Sequence, residues 1–563
     1  MLRKLPHTLF SKISRFFLGK HAKTLSYQQW LSGERSDAVE QQSSIIALFA
    51  NKADNPYFTI IIDARVNANL LNKTIKSVNS QSYCHFSIRS FESRQQLKEL
   101  VSQGVSGDFA VFLKSGQLLS HHALLEFAKA IQENPECDLV YGDHDTINCF
   151  GRRSNPFYKP DWSPDYLETF NYIGFSACFR VSVARELLMS ESYYDFVLKF
   201  TEKSEKIHHI RHILGHEYSA RFHGKIASRE TQENIAALQG RLRRTGRRGV
   251  VREHQFYKGC YEIDVRLKTM PLVSIVITTA GVITNKESRQ IDLIVNLVTQ
   301  IKERSTYKNI EIIVVDNGDL LPQQQKALAK YGCKQVTFSE EEVNISRKLN
   351  LGASNATGEL LLLMNDDIEI ITPDWIERMA EHFEKPHVGV VGAKLLYPSG
   401  LIQHAGVAMI AGYPDHVRRK HLGSEKGYFF STCGVRNFSA VTGAVMMTRA
   451  KLYQQLGGYN ENIYNGNDTG YCFKARGEGY TVVCAPRATL IHMESETCRA
   501  VVDARKDEKY EKHMSWFVQH WADRIAYDPY YNVSFLATPN NIPNFEVCFK
   551  NNKKRSALSK QLY

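Results

Sequence analysis

The second half of this 563-residue chain contains three short, almost continuous runs of apolar residues, at positions 273–277, 312–315 and 360–364. Apolar runs of this length, without a polar residue at every second position, are typical of strands that are buried on both faces. Stretches with helical periodicity separate the three runs, which is the alternation expected of parallel α/β units. The pattern therefore predicts an α/β fold whose mostly parallel sheet is covered by helices on both faces.

Polar residues follow each of these runs, at the point where the predicted strand ends. They are Thr278 and Thr279 after the first strand, Asp316, Asn317 and Gly318 after the second, and Asn365, Asp366 and Asp367 after the third. The carboxyl ends of parallel strands meet at one edge of a sheet, which is where open α/β sheets bind ligands. Three polar strand ends together predict a binding site at this edge.

The residue types at this edge suit a nucleoside diphosphate. A carboxylate can accept hydrogen bonds from a ribose or a base, and the pair Asp366 and Asp367 suits a hard divalent cation, which prefers oxygen ligands and bridges phosphates. Such a cation would neutralise the charge that builds on a departing diphosphate. The chain has no G-x-x-x-x-G-K-[ST] phosphate loop. Taken alone, the Asp-Asp pair is equally explained as the N-cap of a helix.

The first half of the chain repeats part of this pattern. Residues 107–140 align without a gap with residues 358–391, a shift of 358 − 107 = 251 positions. The elbow that holds Asp366 and Asp367 in the second copy is Lys114-Ser115-Gly116 in the first. Because a lysine there would repel a cation, we expect two related domains of which only the second has a working site.

Two other patterns in the first half are discounted as sites. His208, His212 and His216 recur every four residues, but their segment predicts a strand rather than a helical zinc site. Asp143 and Asp145 follow a later strand and are expected to be loop residues.

The composition fits a folded globular protein, with 43% hydrophobic and 23% charged residues. The length requires more than one core and favours two domains plus extensions. The eleven cysteines include no C-x-x-C pair, which indicates reduced thiols in a cytosolic protein. No apolar run approaches the roughly 20 residues needed to span a bilayer.

A net charge of +12 indicates an anionic partner, and two basic segments contribute to it. The first 33 residues contain no acid and have apolar residues at helical spacing. They predict a basic amphipathic helix that either lies on an anionic membrane through residues 1–24 or packs on its own domain. The second segment has six arginines between positions 241 and 252. We interpret it as a solvated face between domains and expect no nucleic acid partner, with RNA binding as the alternative.

Several longer blocks occur in a distinctive order in the second half. They are PLVSIVITT (271–279), EIIVVDNG (311–318), NISRKLNLGASNATGELLLLMNDDIEI (344–370), VGVVGAKLLYPSGLIQHAG (388–406), VTGAVMMTRAKLYQQLGGYNE (441–461), NDTGYCFKARGEGY (467–480) and IHMESETCR (491–499). In order and spacing the chain resembles the inverting nucleotide-sugar glycosyltransferases of family two, which have the GT-A fold. The first half is similar to the family through residues 138–174. Tandem chains of this kind resemble those that build bacterial O-antigen, capsule and other surface polysaccharides.

The resemblance implies a role for nine residues. Thr278, Thr279 and Asp316 would line the nucleotide pocket, and Asn350 would help to hold the nucleotide. Asn365 and Asp366 would contact the nucleotide sugar. Asp367 and His492 would bind Mg²⁺ or Mn²⁺, and Asp468 would be the catalytic base. The chain departs from the family pattern at Asn365, where the family has Asp. It departs again at Gly470, where the family often has a second Asp after the base. Asp468 also has a structural interpretation, as the N-cap of a helix.

The implied domains are a basic amphipathic extension at 1–45, a degenerate GT-A-like domain at 46–268, a catalytic GT-A domain at 269–535 and a basic tail at 536–563. The implied reaction moves a sugar from a nucleotide-diphosphate donor to a lipid-linked glycan with inversion of configuration. It would take place in the cytoplasm, at the inner face of a bacterial inner membrane. The alternative is a catalytically inactive glycan-binding or assembly scaffold, which Gly470 favours. The donor sugar stays open, although Asn365 slightly favours a deoxysugar.

Overall fold

A computed structural model describes residues 24–25, 27, 31, 55–65, 68–218, 228–286, 289–340, 342–410, 412–463, 465–493, 508–532, 535 and 549–550. The predicted amphipathic helix of the N-terminal extension lies outside these residues, as does the tail beyond residue 550. Within the described residues, no helix is both long enough and apolar enough to cross a bilayer.

The second half of the chain forms a mixed sheet of ten strands. Eight of them lie side by side in the order Lys334–Thr337, Ile310–Asp316, Val273–Thr278, Leu360–Asn365, Val445–Arg449, Val388–Leu396, Thr481–His492 and Ile368–Ile370. Two short strands add to this path: Ile402–His404 pairs with Val388–Leu396, and Arg436–Asn437 pairs with Thr481–His492. The first four strands in the order are parallel, and Val445–Arg449 is antiparallel to both of its neighbours.

Both faces of this sheet are buried, as the apolar runs predicted. Val276 faces one hydrophobic core, whereas Ile275 and Ile277 face another. The helices of this half are Leu293–Arg304, Pro322–Lys330, Ile345–Ser354, Trp375–Ala380, Ala450–Gln455, Asn467–Gly477, Glu508–His520 and Ala522–Ala526, with 3₁₀ turns at Glu381–Glu384 and Tyr428–Phe430.

The first half forms a second sheet with the same arrangement. Its strands lie in the order Phe86–Phe91, Phe58–Asp63, Phe109–Lys114, Ala177–Arg180, Leu139–Ile147, Ile207–Tyr218 and Gln117–Leu119, and Arg153–Phe157 pairs with Leu139–Ile147. The helices of this half are Leu71–Asn79, Arg94–Ser102, Ala123–Glu133, Pro164–Leu167, Val181–Ala184, Tyr193–Lys203 and Ser228–Arg244, with 3₁₀ turns at Ala68–Leu70 and Arg185–Leu187.

The two sheets correspond strand for strand. The parallel pair Phe58–Asp63 and Phe109–Lys114 matches Val273–Thr278 and Leu360–Asn365. In the described residues the second sheet has two additional strands, Lys334–Thr337 at one edge and Arg436–Asn437 beside Thr481–His492. The shift between Phe109–Lys114 and Leu360–Asn365 is 360 − 109 = 251 at one end and 365 − 114 = 251 at the other. The α/β fold with two related sheet-bearing domains is therefore confirmed.

Among the residues that the structure describes, four further strand pairs lie outside the two sheets. They are Arg248–Glu253 with Tyr261–Arg266, Ile283–Lys286 with Arg289–Asp292, Val407–Ile410 with Tyr413–His416, and Thr24–Leu25 with Phe549–Lys550.

Histidines and aspartates of the first half meet inside its sheet. The segment with the three spaced histidines is the strand Ile207–Tyr218, as predicted. The expectation that Asp143 and Asp145 are loop residues is wrong: both are buried in the strand Leu139–Ile147. Asp143 Oδ1 lies 2.9 Å from His209 Nε2, and Asp145 Oδ1 lies 2.5 Å from the Nδ1 of His216 on the adjacent strand. Paired imidazoles let the sheet bury these carboxylates.

A buried ion cluster joins the two halves. Lys385, from the second half, contacts Asp165 and lies 3.4 Å from Glu168 of the first half. Glu168 also accepts hydrogen bonds from Arg241 and Arg247, each at 3.0 Å. Burial alone would raise the pKa of Asp165, but Lys385 and His387 outweigh it and hold that pKa well below its usual range. Two arginines of the basic segment are therefore internal partners of a carboxylate.

We expect Lys385→Met to destabilise the protein by about 3 kcal/mol, because it leaves Asp165 buried without its ammonium partner. The free energy of unfolding in urea measures this change. The matched control is Lys268→Met, which removes a largely exposed partner of Glu384 and should change the value by less than about 1 kcal/mol. Equal effects of the two substitutions would contradict the importance of the buried cluster.

Candidate active site

The register of the sheet brings the polar strand ends together. Thr278 pairs with Val315 on one side and with Asn365 on the other, so the residues that follow these positions lie at one edge. Across this edge Thr279 Oγ1 donates a hydrogen bond to Asp366 Oδ2 at 2.6 Å. Two of the predicted strand ends are thus in direct contact.

A lysine that the sequence argument missed connects the first two strand ends. Lys348 is buried in the helix Ile345–Ser354, which Asn344 caps by accepting a hydrogen bond from Arg347 N at 3.1 Å. Its Nζ donates to Thr279 O at 2.7 Å and to Asn317 Oδ1 at 2.9 Å. Burial lowers the pKa of Lys348, and nearby carboxylates oppose that shift. The sequence did contain a signal for Lys348: it is a basic residue in the first turn of a predicted helix, on the face that packs against the sheet.

The strand end at Asp316 is shaped by its own turn. Asp316 is buried, and its Oδ1 accepts a hydrogen bond from Gly318 N at 2.5 Å. Gly318 has a φ of 81°, a conformation that glycine adopts without strain. The turn fixes the carboxylate at the edge where a ribose or base would be bound.

Asp366 is half-buried and lies beside a second carboxylate, that of Asp367. Burial raises the pKa of Asp366 to about 6 and the charge of Asp367 adds to the rise, whereas the hydrogen bond from Thr279 opposes it. A cation at this point would stabilise both ionised carboxylates.

Asp367 and His492 form a pair of potential metal ligands. The antiparallel pairing of Ile368 with His492 brings His492 beside the elbow, and His492 Nε2 lies 3.1 Å from Asp367 Oδ1. Two neighbouring ligands of an octahedral ion with bonds of about 2.1 Å are about 3 Å apart, so this spacing fits Mg²⁺ or Mn²⁺. The described residues hold no cluster of three or more His, Cys, Asp or Glu side chains able to hold a metal. Substrate phosphates would have to complete the shell.

Two amide side chains flank the imidazole of His492. Gln403 Nε2 lies 2.7 Å from His492 Nδ1, and Asn365 Nδ2 lies 3.4 Å from His492 Nε2. Gln403 is buried in the strand Ile402–His404 and was not predicted as a site residue. Its proximity to His492 depends on sheet pairing between segments almost ninety positions apart, which no local pattern reveals.

Asp468, the predicted catalytic base, lies close to the elbow at residues 365–367. Asp468 Oδ2 accepts a hydrogen bond from Gly443 N at 2.8 Å, while the next residue, Ala444, accepts one from Asn365 N at 3.0 Å. The N-cap of the helix Asn467–Gly477 is Gly466, so Asp468 is in the first turn and the N-cap interpretation is wrong. The residues 443–444 thus connect the base position to the elbow.

Gly470, in the helix Asn467–Gly477, faces two aromatic side chains from a later part of the chain. A Cβ built on Gly470 would lie 3.5 Å from Trp521 Nε1 and 3.8 Å from Phe517 Cε2. A carboxylate here would therefore point toward these two rings. Glycine at position 470, where the family often has Asp, is therefore associated with this aromatic packing. Asp468 still accepts its hydrogen bond from Gly443 N.

Asn350 is not brought into contact with the other predicted site residues. Its Nδ2 donates to Tyr459 O at 3.0 Å and to Glu461 Oε1 at 2.8 Å. Its Oδ1 accepts hydrogen bonds from Tyr453 Oη at 2.7 Å and from Tyr459 N at 3.0 Å. These contacts anchor the segment 453–461, so nucleotide binding by Asn350 has no support from its geometry.

The corresponding edge of the first half has different residues. Strand pairing places Gly116 where the second half has Asp367, and Glu217 where it has His492. A Cβ on Gly116 would lie 2.9 Å from Leu70 Cδ1, which shows how closely Leu70 approaches this elbow. Glu92 follows Phe91 at the position of Asp316, so the first half also has an acid there. The metal pair is absent from this elbow.

Comparisons with known proteins identify the family of the domain that contains this edge. Residues 279–442 match the model of Glycosyl transferase family 2, so the second half contains a domain of that family and the resemblance is confirmed. The chain is 31% identical over 456 residues to "O-antigen biosynthesis protein RfbC" of Myxococcus xanthus, covering 77% of this chain and 34% of the relative. It is 30% identical over 462 residues to "Uncharacterized protein y4gI" of Sinorhizobium fredii, covering 77% and 49%. The chain thus spans between a third and a half of these relatives.

Two solved structures are also similar in part. One is a mannosyltransferase from Pyrobaculum calidifontis in complex with GDP-Man and Mn²⁺, with 16% identity, a TM-score of 0.31 and coverage of 46% of this chain and 66% of that one. The other is GalNAc-T7 with UDP, GalNAc and Mn²⁺, with 13% identity, a TM-score of 0.34 and coverage of 48% and 57%.

We expect Asp366→Asn to stabilise the metal-free protein at neutral pH. Because the folded-state pKa is raised to about 6, ionising Asp366 makes wild-type stability fall as pH rises from about 4 to about 6. The substitution should remove this loss, a gain of up to roughly 3 kcal/mol above pH 6 and close to none at pH 4. Thermal unfolding with a chelator across this pH range tests it, with the exposed Glu359→Gln as control. A gain that does not vary with pH would contradict the burial argument.

Proposed function

We propose that this chain is a divalent-cation-dependent, inverting glycosyltransferase that moves a sugar from a nucleotide-diphosphate donor to a glycan acceptor. One observation carries the proposal: the pair Asp367 and His492, at the spacing of two metal ligands, lies at the edge that also holds Asp316 and the Thr279–Asp366 contact. A bound Mg²⁺ or Mn²⁺ would supply charge stabilisation for the departing diphosphate. The family match supports the assignment.

The residues around this edge have complementary tasks in the proposed reaction. Asp316 would accept hydrogen bonds from the ribose or base, and Thr278 and Thr279 would line the nucleotide pocket. Lys348 holds the first two strand ends together and brings a positive charge toward the phosphates. Asp468, two residues beyond the N-cap of its helix, would accept the proton of the acceptor hydroxyl as that oxygen attacks the anomeric carbon.

The first domain, for which we propose the bounds 46–268, would support the catalytic domain at 269–535 without catalysing. Its Phe157 ring stacks on Phe429 with centroids 3.7 Å apart, and its Tyr166 hydroxyl donates to Phe429 O. Phe429 and Phe430 have φ values of 44° and 68°, which are unfavourable for residues other than glycine. Contacts from the first domain therefore hold the second in a strained conformation next to the strand Arg436–Asn437.

The acceptor we propose is a lipid-linked glycan of a bacterial surface polysaccharide. The relative named as an O-antigen biosynthesis protein supports this class. Peripheral contact with the inner face of the membrane would come from the basic residues 1–24. A deoxysugar donor is our preference, since Asn365 removes one anionic contact from the elbow.

We expect Asp468→Asn and Asp367→Asn each to lower the turnover number by about 100-fold or more. The first removes the proton acceptor and the second a metal ligand. The assay measures Mn²⁺-dependent release of nucleoside diphosphate from a panel of nucleotide sugars, with lipid-linked glycan acceptors. Asp374→Asn, on a partly exposed ion pair with Arg378, is the control. Wild-type activity in both variants would refute the site, and the absence of any metal-dependent turnover would favour a scaffold.

The strand-for-strand correspondence of the halves gives a second test. His492→Gln should reduce metal-dependent turnover at least tenfold by removing a metal ligand. Its structural counterpart Glu217→Gln, in the first domain, should leave turnover within about twofold of wild type. The two substitutions occupy equivalent sheet positions, so a comparable loss in Glu217→Gln would show that the first domain takes part in the chemistry.

A further inference from the structure

The side-chain amide of Gln403 lies within hydrogen-bonding distance of the His492 imidazole. Gln403 is 5% exposed, and its Nε2 lies 2.7 Å from His492 Nδ1. The backbone of the same residue is anchored, since Gln403 O lies 3.1 Å from His416 Nδ1. Within the described part of the chain, Gln403 Oε1 is buried and has no hydrogen-bond partner. One end of the amide thus holds the imidazole while the other has unused bonding capacity.

The hydrogen bond from Gln403 determines where the imidazole proton sits. An amide nitrogen can only donate, so Nδ1 must accept and the proton of neutral His492 is on Nε2. Nε2 lies 3.1 Å from the acceptor Asp367 Oδ1 and 3.4 Å from the donor Asn365 Nδ2, so its proton is directed at the shorter contact, with Asp367. In this tautomer His492 points an N–H group, and not a lone pair, at the place where a cation would bind.

Binding of a cation by His492 requires the other tautomer. Nε2 must present its lone pair, so the proton must be on Nδ1, and Nδ1 then needs an acceptor. Half a turn of the Gln403 amide about its last side-chain bond exchanges Oε1 and Nε2, which are similar in size. Gln403 Oε1 would then accept a hydrogen bond from Nδ1, and the imidazole would stay neutral with a single N–H proton.

We propose that Gln403 is a positioning residue whose amide turns to select the metal-binding tautomer of His492. The inference deepens the proposed function and rests on it, because it requires Asp367 and His492 to hold the cation. With the amide nitrogen toward His492, the imidazole faces Asp367 as a donor and the site is closed to a cation. With the amide oxygen toward His492, Nε2 is a ligand.

Two substitutions of nearly the same length separate this role from simple packing. Gln403→Glu leaves only acceptor oxygens, which favour the tautomer with the proton on Nδ1. Gln403→Met fills the space without a hydrogen bond to either tautomer. A residue that only packs would tolerate methionine at least as well as a buried carboxylate.

The experiment measures Mn²⁺ binding by the full chain, with Mn²⁺ alone and with saturating UDP, GDP and dTDP in turn. Loss of the free Mn²⁺ signal in electron paramagnetic resonance gives the affinity, and electron spin echo modulation detects the ¹⁴N of a coordinated imidazole. We expect Gln403→Met to weaken Mn²⁺ binding about tenfold or more and to reduce the ¹⁴N modulation. Gln403→Glu should stay within about threefold of wild type with the modulation retained.

Controls distinguish the failure of this inference from failure of the metal site. Gln239→Met removes a half-buried glutamine that bonds to Gly249 O and Val251 N in the first domain, and it should not change Mn²⁺ affinity. If Asp367→Asn and His492→Gln lose Mn²⁺ while Gln403→Met binds it normally with full ¹⁴N modulation, the role of Gln403 is overturned and the metal site stands. If Asp367→Asn and His492→Gln also bind normally, both are overturned. Should Gln403→Met fail to fold, a tenfold loss in Gln403→Glu would equally overturn the role.

Discussion

The site depends on holding two adjacent carboxylates at the buried edge of a parallel sheet. Asp366 and Asp367 follow a strand whose side chains are buried on both faces, and burial raises the pKa of Asp366. The protein reduces this cost with a hydrogen bond from Thr279 and with the charge of the buried Lys348. A divalent cation at this point would relieve the remaining unfavourable energy of the ionised carboxylates.

The two halves show that the sheet does not need this site. They share the strand order and the 251-residue shift across the elbow strand, so the core packing was kept in both. In the first half Gly116 and Glu217 occupy the metal-pair positions, and Leu70 approaches the elbow. That domain contributes Asp165 and Glu168 to the interface between the halves.

The interface between the halves consists of buried charges and of aromatic contacts. Lys385 and the two carboxylates it contacts across the halves are buried, which fixes their geometry because an unpaired partner would be costly. Aromatic contacts from the same domain hold Phe429 and Phe430 in a strained backbone conformation. Strain of this kind persists only where surrounding contacts impose it. These contacts support our proposal that the first domain holds segments that border the second sheet.

The sequence by itself determined the α/β fold, the tandem repeat, the three strand ends and the contrast between their elbows. These are local properties, because continuous apolar runs report burial and the residue after a strand lies at its end. Tertiary structure decided the rest. The contact of Gln403 with His492, the position of Lys348, the burial of Asp143 and the engagement of Asn350 with Tyr453 and Tyr459 each depend on which distant segments pair. A pattern in one segment cannot carry that information, since strand order and side-chain partners are set by packing between segments that are far apart in the chain.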